Sequence, residues 1–474
     1  MTKNKTSISL IWSSIDKFGV QVLALLVGVF TARMLTPADF GVIACLAIFL
    51  ALSNVFIDSG FTTALVRREK NTNSEYSAVF IFNIVLSVAL YLVLYFSAEK
   101  IANHFRLPQL VSLSRFLFIA LIINSFGIIQ NVIFTKELKF KEISIANILS
   151  AIASLCVTVI LVLRGYTYWA IAWQQMTLVA VKVLFFWIFS TWRPFHKPKF
   201  SVLKELFSFS AFLIFTNFIN IFVKYIYNLK IPVKFSKETL GFYDRASKFQ
   251  QIPETVVSGA INSVAYPIVA SLNNEPQKQL QFFRKMVRVN AFLIFPIMFG
   301  LIGIIENLTI IVLTDKWLPM IPYFKILCAA ALTAPFRSLC LNTLNAIGKP
   351  KHYFALELIR NFLTIVLFIF FSNTVEQMLW GFTISMFAAY ISNILAVGHF
   401  IKYSVSNHLR DILPYAAISA VMCIIVTLLS KINLNIYLVF SIQAVAGVVF
   451  YISVAYLLGS QVIKDVVELF KKKK

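Results

Sequence analysis

Charge is what this sequence has little of: 13% of its 474 residues are Asp, Glu, Lys or Arg, about half the share found in ordinary soluble domains. With 59% hydrophobic residues and a mean hydropathy of +0.81, a water-soluble fold would leave too much apolar surface uncovered, so the soluble classes are excluded. Linkers are also missing. No long Pro/Gly/Ser-rich stretch separates the apolar segments, which points to one membrane domain rather than several globular ones.

Cysteine is sparse and scattered: Cys45, Cys156, Cys328, Cys340 and Cys423 form no C-x-x-C pair, which excludes a disulfide framework or a zinc site. The five histidines are isolated, and no metal is expected. There is no G-x-x-x-x-G-K-[ST] loop, no H-E-x-x-H and no G-x-S-x-G elbow, so neither an enzyme nor an ATP-driven pump is expected. No cofactor and no nucleic-acid partner are called for. The basic N-terminus runs into an apolar stretch too long for a signal-peptide core and without an A-x-A site, so it is expected to remain as the first span.

What is present is a series of apolar runs of about 20 residues, the length that crosses a bilayer. They fall at 8–33, 39–58, 77–98, 112–134, 143–163 and 167–190, then at 206–230, 246–270, 286–312, 321–346, 352–371 and 375–400, with a last pair at 411–430 and 434–458. The fold class is therefore an all-α polytopic membrane protein of about fourteen transmembrane helices. The expected division is a six-helix lobe over 1–200, a second over 201–405, and two further helices with a basic tail over 406–474. Inner segments would carry about 25 basic residues against about 13 outside, which orients both termini toward the cytoplasm. One segment runs against this bias. Residues 230–248, read as an outer loop, carry Lys230, Lys234, Lys237, Arg245 and Lys248, and are either a solvated loop or an anion-attracting rim.

An internal echo supports two related halves: LTPADFGVIACL and FSKETLGFYDRA place Gly41 and Gly241 at matching positions. Parallel repeats of this kind are one way in which alternating-access transporters are built.

Charges inside spans usually face a wet cavity or pair with each other. Lys17, Lys182, Lys224, Arg337 and Arg360 stand within or near spans, against Asp16, Asp58, Glu254, Glu306 and Glu357. Glu357 and Arg360 have the spacing of a local ion pair. Asn217, Asn220, Lys224 and Tyr227 recur every three or four residues, so they share one helical stripe that should not face lipid; it is either interhelical hydrogen bonding or a polar cavity wall meeting an anionic substrate. Pro253, Pro267, Pro296 and Pro335 interrupt apolar spans of the second half and are candidates for kinks.

Taken together, ARMLTPADFGV, IDSGFTTALVRR, WAIAWQQ, LGFYDRASKFQQIP and NAIGKPK resemble the polysaccharide flippases of the multidrug/oligosaccharidyl-lipid/polysaccharide exporter superfamily, from the first span to approximately residue 350. The resemblance implies two six-helix lobes around a central cavity plus two C-terminal helices. It also implies movement of undecaprenyl-diphosphate-linked oligosaccharide units by alternating access from the cytoplasmic to the outer leaflet of the bacterial plasma membrane, for lipopolysaccharide or capsule synthesis. Lys17 matches a basic residue common in the family's first helix, and Arg33 falls in its Ala-Arg-x-Leu turn. Lys224 stands where Arg is frequent, and Tyr227 where many members carry Asp. A cationic cavity of Lys17, Arg33, Lys182, Lys224, Arg337 and Arg360 is expected on these grounds, with Asn217, Asn220 and Tyr227 as its polar wall. The implied partners are the lipid-linked oligosaccharide, membrane lipid, a coupling ion (proton or sodium) and a polysaccharide polymerase. The alternative is a cation-coupled exporter of small molecules of the multidrug type, which would favour acidic cavity residues. A membrane glycosyltransferase or polymerase would need acidic catalytic residues in large loops, and no outer loop is long enough.

Overall fold

The computed structural model describes the backbone of residues 3–58, 61–272 and 274–465; the side chains of 3–11, 13–18, 208, 209, 213, 260 and 262–264 lie outside the described set. The chain forms two compact units, Met1–Gly241 and Phe242–Lys474.

The first unit contains α1 (Lys3–Met34), α2 (Pro37–Asp58), α3 (Phe61–Arg67), α4 (Asn73–Phe105), α5 (Leu110–Leu117), α6 (Ile119–Lys136), α7 (Phe140–Leu163), α8 (Tyr168–Phe189) and α9 (Ser201–Lys234), and ends in the first turn of α10 (Lys237–Ser271). The second holds the rest of α10, then α11 (Pro276–Val312), a short 3-10 turn at Asp315–Met320, α12 (Ile321–Ala331), α13 (Ala334–Ala346), α14 (Pro350–Phe370), α15 (Val375–Ile401), α16 (Val405–Leu429) and α17 (Ile436–Leu457). Twelve helical segments among the described residues are long and apolar enough to cross a bilayer. Beside them stand α1, with an apolar run over Gly19–Met34, and the more polar α10. Each of the fourteen expected spans thus has its own long helical segment.

Tryptophans mark the ends of α8. Phe116 packs against Trp169 and Trp173 at one end, and Phe80 packs against Trp187 and Trp192 near the other. Trp169 and Trp187 are separated by a rise of about 27 Å along a helix, close to the roughly 30 Å hydrocarbon thickness; aromatic belts of this kind settle at the two headgroup levels. Within each unit, side-chain hydrogen bonds join helices that lipid gives no hydrophobic reason to associate. Ser144 donates to the Trp12 carbonyl at 2.9 Å, Ser87 to Ser125 at 3.1 Å, and Asn307 to Gln443 at 2.8 Å.

Two expectations are corrected. Residues 230–248 are not a loop: α9 continues to Lys234 and α10 starts at Lys237, leaving Phe235 and Ser236 as the turn. The Ser236 hydroxyl accepts from the Thr239 amide at 3.1 Å, which caps the new helix. A 34-residue helix is about 51 Å long, so α9 outruns the hydrocarbon and its last basic residues reach water while still helical. Arg245 is buried and lies 5.8 Å from the Trp317 ring centroid, and Lys248 pairs with Asp244 at 2.8 Å. The second correction concerns proline. Pro253, Pro267 and Pro296 sit inside continuous helices, whereas Pro335 opens α13, where its missing N–H costs nothing.

Candidate functional site

In the first unit a cavity of about 480 Å³ opens between α2, α6 and α8. Its polar wall is built from Asn54 and Asp58, Asn124 and Asn131, and Gln175 and Lys182, with Thr62 beside them. Asn54 and Asp58 on α2, Asn124 and Asn131 on α6, and Gln175 and Lys182 on α8 recur at four or seven residues, so each pair lies on one face of its helix, and Thr62 is contributed by α3. Leu50, Leu121, Val179, Val183 and Phe186 supply the apolar remainder. Gly127 permits this convergence, since a Cβ there would come within 2.9 Å of a Val183 methyl.

The polar groups are partly engaged with each other. Asn124 Nδ2 donates to Asn54 Oδ1 at 3.1 Å, Asn54 Nδ2 donates to the Leu50 carbonyl at 2.9 Å, and the Thr62 hydroxyl donates to Asp58. The Lys182 ammonium lies 5.5 Å from the Phe186 ring centroid. Lys182 sits between the two tryptophan belts, about 7.5 Å along the helix from Trp187. Groups of this polarity at bilayer depth are tolerated only where they line a wet cavity or are buried in protein.

In the second unit, Arg337 on α13 is buried, and its Nη2 lies 3.4 Å from Glu357 Oε1. Arg360 Nη2 approaches the other oxygen of Glu357 at 3.0 Å and bonds Asn361 Oδ1 at 2.9 Å. Arg337 Nη1 also contacts Met386 Sδ at 3.0 Å. Glu254, which accepts from Gln250 at 2.7 Å, acts electrostatically on Arg337 as well. Two guanidiniums therefore share Glu357. A buried charge needs such a partner, because desolvation without one is costly.

The remaining expected residues are more dispersed. Lys224 and Asn217 are exposed on α9, Asn220 is half-buried and Tyr227 is buried. Lys224 lies 5.7 Å from the Tyr225 ring, and is not among the residues lining the Lys182 cavity. Arg33 is exposed in the last turn of α1. Lys17 belongs to α1, but its side chain lies outside the described residues. The carboxamides Asn54, Asn124, Asn131 and Gln175 were not anticipated. The available signal was spacing: Asn54 is four residues from Asp58, Gln175 seven from Lys182, and Asn124 seven from Asn131.

The chain matches the family described as polysaccharide biosynthesis protein over residues 30–322. It is 25% identical over 323 residues, 68% of this chain and 67% of the relative, to the teichuronic acid biosynthesis protein TuaB of Bacillus subtilis (strain 168). It is 24% identical to the lipopolysaccharide biosynthesis protein WzxC of Escherichia coli (strain K12), covering 70% of this chain and 68% of the relative. Among solved structures it is similar to the lipid II flippase MurJ in an inward closed conformation, with a TM-score of 0.79, 18% identity and coverage of 96% of this chain and 100% of that one; this likeness speaks for the fold. The family match spans well over half the chain, and the chain belongs to the polysaccharide biosynthesis transporters of the multidrug/oligosaccharidyl-lipid/polysaccharide exporter superfamily, a membrane transport protein and not an enzyme.

Proposed function

We propose that this chain is a flippase that carries undecaprenyl-diphosphate-linked oligosaccharide units from the cytoplasmic to the outer leaflet of a bacterial plasma membrane by alternating access. The observation that carries the proposal is the cavity at bilayer depth lined by Asn54, Asn124, Asn131, Gln175 and Lys182. Carboxamides offer both donors and acceptors, the complement that sugar hydroxyls require. The lysine meets negative charge as a point cation. The diphosphate falls to Arg337 and Arg360, which would exchange Glu357 for phosphate oxygens, since guanidinium forks match phosphate geometry. Lys17, Arg33 and Lys224 belong to the proposed cationic path, with Asn217, Asn220 and Tyr227 along its wall. The polyprenyl tail stays in lipid. Names of relatives in teichuronic acid and lipopolysaccharide biosynthesis agree with a surface-polysaccharide substrate. Two six-helix lobes, cytoplasmic termini, a coupling ion and a polymerase partner complete the proposal.

Deleting the gene in its host should leave lipid-linked repeat units on the cytoplasmic leaflet, where externally added glycosidase cannot reach them. Normal arrival at the outer leaflet would sink the proposal.

Asp58 in the cavity favours a second reading, cation-coupled export of small molecules. Everted vesicles decide between them. Uphill transport of a cationic dye, abolished by Asp58→Asn, would support export and count against flipping.

A further inference from the structure

One end of the second unit holds a basic cavity separate from the residues assigned to transport. It measures about 270 Å³ and is lined by Gln281, Arg284, Lys285 and Arg288 of α11, with Gln461 and Asp465 beyond α17. Two of the lining arginines are bonded to Asp411 of α16, which is buried. Asp411 accepts from Arg284 Nε at 2.8 Å and Nη2 at 3.0 Å, from Arg288 Nε at 2.9 Å and from the Tyr403 hydroxyl at 3.0 Å. Lys285 pairs with Asp465 at 2.7 Å.

Arg284 and Arg288 are one helical turn apart, where like charges repel. A single carboxylate holds both in place, so the pair is preorganised. Arg288 engages Asp411 through Nε alone, leaving its terminal nitrogens as donors at the cavity it lines. Three cations face two carboxylates there, and the balance is positive. The side chains of Arg284, Lys285 and Arg288 remain 32%, 54% and 26% exposed, so an incoming anion can reach them.

We infer that this cavity binds the phosphate headgroup of an anionic membrane phospholipid. Apolar surface begins close by: Tyr456, Leu457 and Leu458, at the end of α17 and three to five residues before the lining Gln461, are all exposed. A phosphate seated on Arg288 and Lys285 would leave its acyl chains against these residues, which a soluble phosphate would not use. Basic pockets between transmembrane helices on the cytoplasmic side are sites at which anionic headgroups dock, and the Lys/Arg asymmetry assigns this end to that side. The inference does not depend on the transported substrate.

Native mass spectrometry of the purified full-length protein tests it, with phosphatidylglycerol, phosphatidylcholine and inorganic phosphate as separate probes. Wild type should retain phosphatidylglycerol in preference to phosphatidylcholine. Arg288→Gln, which leaves Arg284 on Asp411, should weaken that retention at least fivefold. Lys285→Gln, whose partner Asp465 is more exposed than Asp411, provides the same reading should Arg288→Gln fail to fold. Equal retention of the two lipids, unchanged retention in a folded variant, or inorganic phosphate displacing phosphatidylglycerol at equal concentration would each overturn it.

Discussion

Gly41 and Gly241 mark a reciprocal crossing in which each helix accommodates the other's first residue. A Cβ on Gly41 would lie 1.7 Å from the Lys237 carbonyl oxygen, and one on Gly241 would lie 1.9 Å from that of Pro37. Both obstacles are backbone, which cannot swing aside. The start of α2 and the start of α10 therefore touch by main chain, and Asn228 of α9 reinforces the arrangement by donating to the Ala44 carbonyl at 2.9 Å. Gly41→Ala and Gly241→Ala should each force the helices apart and cost about 1–3 kcal/mol, as overpacking does. Thermal unfolding in detergent measures this. A wild-type melting profile in both variants would refute the crossing.

Removing Glu357 should be worse for the protein than removing Arg360. Glu357→Gln leaves buried Arg337 without its carboxylate partner, and breaking such a pair costs about 3–5 kcal/mol. Arg360→Gln still leaves Arg337 paired with Glu357. Chemical stability of the two variants in the same detergent checks the order, and the reverse order would contradict the shared carboxylate.

Arg337→Ala and Lys224→Ala should reduce flipping at least tenfold while the protein still inserts. The readout is the outer-leaflet appearance of lipid-linked repeat units relative to membrane protein abundance. Transport at wild-type level in both variants would remove them from the proposed path.

Within the first unit, Lys182→Ala and Asn124→Leu should each lower flipping at least tenfold, and Lys182→Arg should recover part of it. Asn124→Leu also breaks the bond to Asn54, so its melting temperature must be recorded beside transport. If Lys182→Ala transports normally, the α2–α6–α8 cavity is not on the substrate's route.

The turn at Phe235 and Ser236 should react from outside the cell. In a background lacking the five native cysteines, Ser236→Cys should be labelled by a membrane-impermeant thiol reagent on intact cells, whereas Lys349→Cys should label only after permeabilisation. Inverted labelling would reverse the orientation drawn from the Lys/Arg asymmetry.

Hydropathy and length are local properties, so the sequence by itself determined the membrane class and the fourteen long helical segments, and its ordered motifs pointed to the family. Spacing was enough to pair Glu357 with Arg360, which do meet at 3.0 Å. It also singled out Gly41 and Gly241 as equivalent, but could not say that they touch opposite helices. Helix ends were less legible: the charges of 230–248 read as a loop because hydropathy falls where a helix leaves the bilayer, although the helix itself continues. Only the tertiary structure decided which polar stripes converge. In helices that are apolar on most faces, one Asn or Gln carries little directional information, and Asn54, Asn124 and Gln175 meet across about 120 residues of chain. The same holds for the link between Arg337 and Arg360. Both charges were visible in the sequence, but that Arg337 shares the Glu357 carboxylate of Arg360 depends on how α13 and α14 pack, which no local pattern encodes.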